Sequence, residues 1–187
     1  MRAKRNHHKI VFTGPVGAGK TTAIASISDI EPVRTDASAS DMTIKRKNNT
    51  TVAMDYGMLR LPAGEKVMLY GTPGQERFDF MWEILTEGGI GLVLLLDNTR
   101  VQPLQDMRFF LDAFRDFVAR TQVVIGITHS DEKATPSLAE YHSALRAHGI
   151  ERPVPIFEAD ARSYDDVSLL VRSLLHSLDP GLDEANA

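Results

Sequence analysis

The run Gly14-Pro15-Val16-Gly17-Ala18-Gly19-Lys20-Thr21 constrains this chain more than any other stretch. It fits the spacing G-x-x-x-x-G-K-[ST], and the residues on either side supply the context that spacing needs. Lys9-Ile10-Val11-Phe12-Thr13 reads as a buried strand, and Thr21-Thr22-Ala23-Ile24-Ala25-Ser26-Ile27 opens a helix. A strand running into a glycine-rich turn that starts a helix aims backbone N–H groups and a positive helix end at one point, which is an anion site. Gly14, Gly17 and Gly19 permit positive φ and close approach of a phosphate oxygen. Lys20 adds a mobile point charge, and the Thr21 hydroxyl is placed to ligate magnesium. The whole of Gly14 to Thr22, with Pro15, Val16, Ala18 and Thr22 included, is the expected phosphate-binding segment. The bland alternative is a glycine-rich turn with no ligand. The motif alone does not choose between kinase, ATPase, GTPase and transporter ATPase.

At 187 residues the chain is long enough for one domain with a real core and short for two. A formal charge of −4 argues against general nucleic-acid affinity. The start is nonetheless basic (Arg2, Lys4, Arg5, His7, His8, then Lys9), so residues 1–8 are read as a solvated arm, with an acidic partner or lipid as its alternative contact. The domain proper is expected over 9–178, with a polar tail over 179–187. Zero cysteines remove disulfides, thiolate metal sites and cysteine nucleophiles, and fit a reducing cytoplasm. The longest apolar run, within Ile90 to Leu96, is too short to span a bilayer. Neither a myristoylation glycine, a prenylation box nor an export signal is visible, so membrane contact is expected to be peripheral at most. His7, His8, His142, His148 and His176 show no metal-ligand spacing.

Past the first helix, 32–50 is polar and reads as irregular. Thr51 to Leu61 alternates, with Val52, Met54, Tyr56 and Met58 on one side, and a short turn at Pro62 to Glu65 joins it to a strand Lys66–Tyr70 as an antiparallel hairpin. Continuous apolar runs at 92–96, 123–127 and 154–157 read as further buried strands. Leu104, Met107, Phe110, Leu111, Phe114, Phe117 and Val118 mark one helix by their 3.6 spacing. Thr135-Pro136 is expected to cap the next helix, which ends near Gly149, and Ser163 to cap a last one carrying Val167, Leu170, Val171, Leu174, Leu175 and Leu178. Strand-helix alternation with nearly all-apolar strands predicts an α/β domain. Its sheet is six-stranded and mostly parallel, with one antiparallel edge strand and helices on both faces.

Taken in order, these elements resemble the Ras-like small GTPases, particularly their bacterial branch, over about residues 9 to 178. Thr50-Thr51-Val52-Ala53-Met54-Asp55-Tyr56-Gly57 is similar to the family's first switch and following strand. The match implies that Thr51 closes on magnesium and the γ-phosphate. Tyr70-Gly71-Thr72-Pro73-Gly74-Gln75-Glu76-Arg77-Phe78 resembles the second switch. There the resemblance implies that the Gly74 N–H meets the γ-phosphate and that Gln75 orients the attacking water. An amide suits that task because it accepts from water and donates toward phosphate oxygen at once. The chain departs from the pattern at Gly71, where the family has an aspartate that holds magnesium through water. Asp55, on the paired strand, and Asp97, at the end of the next strand, are the candidate substitutes.

Thr128-His129-Ser130-Asp131 lies in the slot of the family's guanine-recognition sequence, with His129 in place of lysine. A carboxylate at Asp131 accepts from both the N1–H and the exocyclic amine of guanine, a donor pair adenine lacks; a capping aspartate is the plainer reading. Asp160-Ala161-Arg162 matches by location the segment whose backbone meets the guanine O6. The resemblance therefore implies a GTP/GDP switch using Mg2+, with loops at about 32–51 and 71–82 changing shape on hydrolysis. Lys20 and Gln75 are its catalytic residues. Intrinsic turnover is expected to be slow, with a GTPase-activating partner adding about 10³–10⁵-fold unless Arg46 or Lys47 enters the site. Roadblock-type regulators are the partners that relatives of this kind imply, and Phe78, Phe80, Met81 and Trp82 form an apolar cluster beside the second switch that is either partner surface or core. Two rivals stand beside this reading. One is a non-catalytic nucleotide switch, suggested by Gly71. The other is a P-loop small-molecule kinase, which would need an arginine-rich lid that no segment supplies.

Overall fold

A computed structural model describes residues 7–34, 54–61, 64–73 and 80–178. Among these residues seven strands and six helices follow one another: β1 (His7–Thr13), α1 (Lys20–Ile27), β2 (Val33–Arg34), β3 (Asp55–Arg60), β4 (Lys66–Gly71), α2 (Phe80–Thr86) and β5 (Gly91–Asp97). Then come α3 (Pro103–Ala113), α4 (Arg115–Arg120), β6 (Gln122–Thr128), α5 (Leu138–Ala147), β7 (Ile156–Glu158) and α6 (Tyr164–Leu178). The strands form one sheet in the order β2-β3-β4-β1-β5-β6-β7. β1 runs parallel to β4 and β5, β5 to β6 and β6 to β7, while β3 runs antiparallel to β4. These are the six strands expected, with the hairpin strand reversed. Beyond it the two-residue β2 pairs Val33 with Tyr56, inside a stretch the sequence reads as irregular.

Continuous apolar strands belong in a sheet covered on both faces, and alternation sends their residues to two cores. Leu92, Leu94 and Leu96 of β5 join Val11, Ile125 and Ile127 under α2 to α5. Val93 and Leu95 join Ile10, Phe12 and Val124 under α1 and α6. All of these are at most 1 % exposed, and each such burial contributes about 1.5–3 kcal/mol before the opposing chain entropy.

Two expectations are corrected. The single helix through 104–118 is two, α3 and α4, divided at Phe114 (φ −102°, ψ 18°). Its apolar spacing survives because Phe114 still donates to the Phe110 carbonyl and Val118 to that of Phe114. The cap of α5 is Ser137 rather than Thr135-Pro136, whose peptide is cis and lies before the helix. Ser137 and Glu140 form a reciprocal capping box, which satisfies two otherwise orphaned N–H groups. Ser163 caps α6 as expected, accepting from the Asp166 N–H at 3.2 Å. Among the described residues no helix is long and apolar enough to cross a membrane.

Because β1 lies between β4 and β5, the loops leaving the carboxyl ends of β1, β5 and β6 open on one side of the sheet. Such a crevice is where open α/β sheets bind ligands.

Candidate nucleotide site

β1 ends at Thr13 and α1 begins at Lys20, so the loop between them must turn sharply. Gly14, Gly17 and Gly19 take φ of 139°, 88° and 90°. At Gly14 a side chain is impossible for a second reason: its Cβ would lie 2.0 Å from the Leu95 carbonyl oxygen of β5. Lys20 is 8 % exposed, and its Nζ donates to the carbonyls of Gly14 and Pro15, each at 2.7 Å. Burial pushes this ammonium down to about 8; the Asp55 charge opposes the shift and Arg100 adds to it.

That depression has a direction in pH. Above the folded value and below the ordinary 10.5, the unfolded chain holds a proton that the folded protein has lost. Stability of the ligand-free protein should therefore rise with pH across that window. The expected gain is on the order of 2–3 kcal/mol. Urea unfolding at about pH 7.5 and about pH 10 measures it, and Lys20→Met should remove the Lys20 share of the slope. Identical slopes in the two proteins would contradict the assignment.

The side of the loop that carries Thr21 is built by β3. Along this strand Asp55, Gly57 and Leu59 share the face toward α1, where Gly57 lies against Ile24 and Ser28. Asp55 is thereby brought to Thr21, whose hydroxyl donates to its Oδ2. Asp55 is also the register partner of Gly71 on β4. A Cβ at Gly71 would meet the Asp55 Cβ at 3.1 Å, its Oδ2 at 3.2 Å and Ile24 Cδ1 at 3.1 Å. The missing side chain at 71 is thus the space that the Asp55 carboxylate fills. Asp97, the other candidate, uses Oδ1 to accept from the Thr99 N–H at 2.8 Å and hydroxyl at 2.6 Å, 3.4 Å from His129 Nδ1, while its Oδ2 faces the phosphate loop, 3.9 Å from where a Cβ at Gly17 would stand.

At the far end of the loop a cavity of about 530 Å³ is lined by Gly17, Gly19 and Thr22, by Thr128 to Glu132 after β6, and by Glu158 to Arg162 after β7. The expected base-binding residues Thr128, His129, Asp131, Asp160, Ala161 and Arg162 therefore do converge with the phosphate loop. Thr128 is buried, and its hydroxyl reaches the carbonyls of Ala18 and Leu96 at 3.2 Å each. His129 holds a left-handed φ of 58°, with Nδ1 3.2 Å from the Thr128 hydroxyl oxygen. Its imidazole is turned toward Thr128 and Asp97. Arg162 is paired with Asp160, which holds that carboxyl down at about 2, so its guanidinium is engaged with a neighbour in the loop. Asp131 is exposed at the rim.

The cavity is electrically polar. Gly17, Gly19 and Thr22 line it from the phosphate loop, while Asp131, Glu132, Glu158, Asp160 and Asp166, with Arg162 among them, line it from the segments after β6 and β7; the Lys20 ammonium is held on the Gly14 and Pro15 carbonyls of the same phosphate loop. Phosphates are favoured at the phosphate-loop end and repelled at the other, where carboxylates accept from donors on a neutral base. Thr51, Gly74 and Gln75, expected at the γ-phosphate, lie outside the described residues, as do Arg46 and Lys47. Pro73 and Trp82 on either side of the second loop are described, and the Trp82 indole N–H donates to the Pro73 carbonyl at 3.4 Å. Sequence reasoning passed over Asp166, whose carboxylate accepts from the Asp160 N–H at 2.8 Å, and Asn98, buried behind the base loop.

Comparison with known proteins agrees at a coarser level. Uncharacterized protein MJ1339 of Methanocaldococcus jannaschii is 32 % identical over 97 residues, which is 52 % of this chain and 55 % of that protein. The match therefore spans about half the length of this relative. The family model described as "conserved hypothetical ATP binding protein" matches residues 31–148, a stretch that includes Asp55, Gly71, Asn98 and Asp131. With more than half of its residues inside that match, the chain belongs to this family of P-loop-type nucleotide-binding proteins.

Proposed function

We propose that this protein is a guanosine-nucleotide switch that hydrolyses GTP to GDP and phosphate. The carrying observation is the one cavity joining the phosphate loop to the loops bearing Asp131 and Ala161. Its polarity orients a nucleotide along it. A carboxylate at Asp131 favours guanine, which offers it two adjacent donors; adenine would set a ring-nitrogen lone pair against it.

Thr21 and Asp55 supply a hydroxyl and a carboxylate, an all-oxygen set that suits a hard divalent cation, and together with Thr51 they would hold magnesium. Held there, such a cation would supply neutralisation of the charge that develops on the phosphate oxygens. The chain's own part is positioning. Lys20 leaves its loop carbonyls for the phosphate oxygens, Gln75 orients water, and Gly74 and Thr51 close on the terminal phosphate. Unless Arg46 or Lys47 enters the site, a GTPase-activating protein, roadblock-type or otherwise, supplies a cation in trans, and the loops at about 32–51 and 71–82 report nucleotide state to an effector.

ATP as the nucleotide is the second reading, favoured by the description of the family. Parallel calorimetric titrations and single-turnover hydrolysis with GTP and ATP separate the two. On our reading GTP binds at least about tenfold tighter, Asp131→Ala erases most of that margin, and Gln75→Leu lowers turnover about tenfold or more while sparing binding. Tighter binding of ATP would overturn the guanosine reading. Binding without turnover would leave a switch that is not an enzyme.

A further inference from the structure

Asn98 is 1 % exposed and lies next to the nucleotide cavity without lining it. It follows the apolar run of β5, where a buried amide is stable only if its donors and acceptor are matched. They are matched. Nδ2 donates to the Lys133 carbonyl at 2.6 Å and to the Pro136 carbonyl at 3.3 Å. Oδ1 accepts from the Tyr141 hydroxyl at 2.9 Å, and Tyr141 is fully buried at the start of α5. The Asn98 backbone N–H donates to the Thr128 carbonyl at 2.9 Å.

These partners bracket the loop that carries Asp131. At its beginning Thr128 is tied to β5 and to the phosphate loop through Leu96 and Ala18. In its middle the N–H groups of Glu132 and Lys133 turn back on the His129 carbonyl, each at 3.2 Å. At its end the Asn98 amide gathers Lys133, Pro136 and α5 to a single point, and the Lys133 ammonium also donates to the Arg100 carbonyl at 3.0 Å. An amide is the one side chain of this size with two donors for two carbonyls and an acceptor for a hydroxyl.

We propose that Asn98 is a specificity-positioning residue: it fixes where Asp131 meets the base, and so sets base preference without touching the nucleotide. The proposal rests on Asp131 reading the base. An aspartate at 98 keeps the shape and the Tyr141 bond but turns an acceptor toward two carbonyls, which expels the loop.

The test measures affinities of the full-length wild type, Asn98→Asp and Tyr141→Phe for GTP, ATP and inorganic tripolyphosphate, with hydrogen exchange across 129–137. Asn98→Asp should cut the preference between GTP and ATP about tenfold, hold tripolyphosphate affinity within about twofold, and speed exchange in the loop. Tyr141→Phe removes one partner and should give about a threefold loss of preference, which keeps the proposal testable if Asn98→Asp does not fold. Parallel loss for all three ligands, or an unchanged preference, would overturn it. A wild type with no base preference would instead remove the Asp131 reading. In that case unchanged exchange in the variants also removes the hold of Asn98 on the loop, whereas faster exchange upholds it.

Discussion

Asp55→Asn is expected to weaken nucleotide binding in magnesium about 10–100-fold while leaving binding in a chelator within about twofold. The expectation follows from what Asp55 touches. Its carboxylate accepts from the Thr21 hydroxyl and occupies the space left by Gly71 across the β3–β4 pair. An asparagine keeps the shape and removes the charge, and the chelator arm separates attraction for the cation from the loss of the Asp55 charge beside Lys20. Gly71→Asp alone should not improve binding, because its Cβ would crowd Asp55 and Ile24 and set two carboxylates side by side. The exchange Asp55→Gly with Gly71→Asp moves the carboxylate from one strand to its neighbour, and should recover part of the magnesium effect. Titrating nucleotide affinity and thermal shift against magnesium reads all four proteins without relying on turnover. An Asp55→Asn protein with the wild-type magnesium response would exclude this residue from the metal side of the site.

The second large effect is structural. Trp82 is 4 % exposed, stacks on Phe114 at 5.0 Å and 22°, and meets Phe110 at 5.6 Å and Phe109 at 6.1 Å. Trp82→Ala should cost about 3–5 kcal/mol, because the aromatic surround cannot close fully over the hole. The melting temperature should fall by on the order of 10 °C. Trp82→Phe keeps much of the packing but loses the N–H that reaches Pro73, so it should lose less stability. Trp82 is the sole tryptophan, which makes its fluorescence a direct monitor of the second loop in both unfolding and nucleotide titrations. An alanine variant within about 1 kcal/mol of wild type would show that the stack contributes little.

The phosphate loop was legible because its chemistry is local: glycines at fixed offsets, a strand before and a helix after. The buried strands were legible because Leu92 to Leu96 and Val123 to Ile127 need cover on both sides and so cannot lie at a surface. The break at Phe114 was not, since one relaxed residue leaves the 3.6 spacing of its neighbours intact. The Ser137 cap was written in Ser137-Leu138-Ala139-Glu140, but the preceding Pro136 drew the boundary two residues early. Alternation set Asp55 opposite Tyr56 and Met58; which side faces Thr21 is decided only when α1 packs on the hairpin. Asn98 gave no signal, because its partners come from residues 128 to 141 and meet only in the folded chain.

The position of β1 in the sheet governs the order of assembly on the ribosome. Its first hydrogen-bonding neighbour, β4, is not complete until Gly71 has been translated, and the other, β5, not until Asp97. The phosphate loop is translated before both of them yet cannot take its final form without them, so the nascent segment carrying it waits with its apolar strand unpaired until β4 and β5 have followed, a natural moment for chaperone capture.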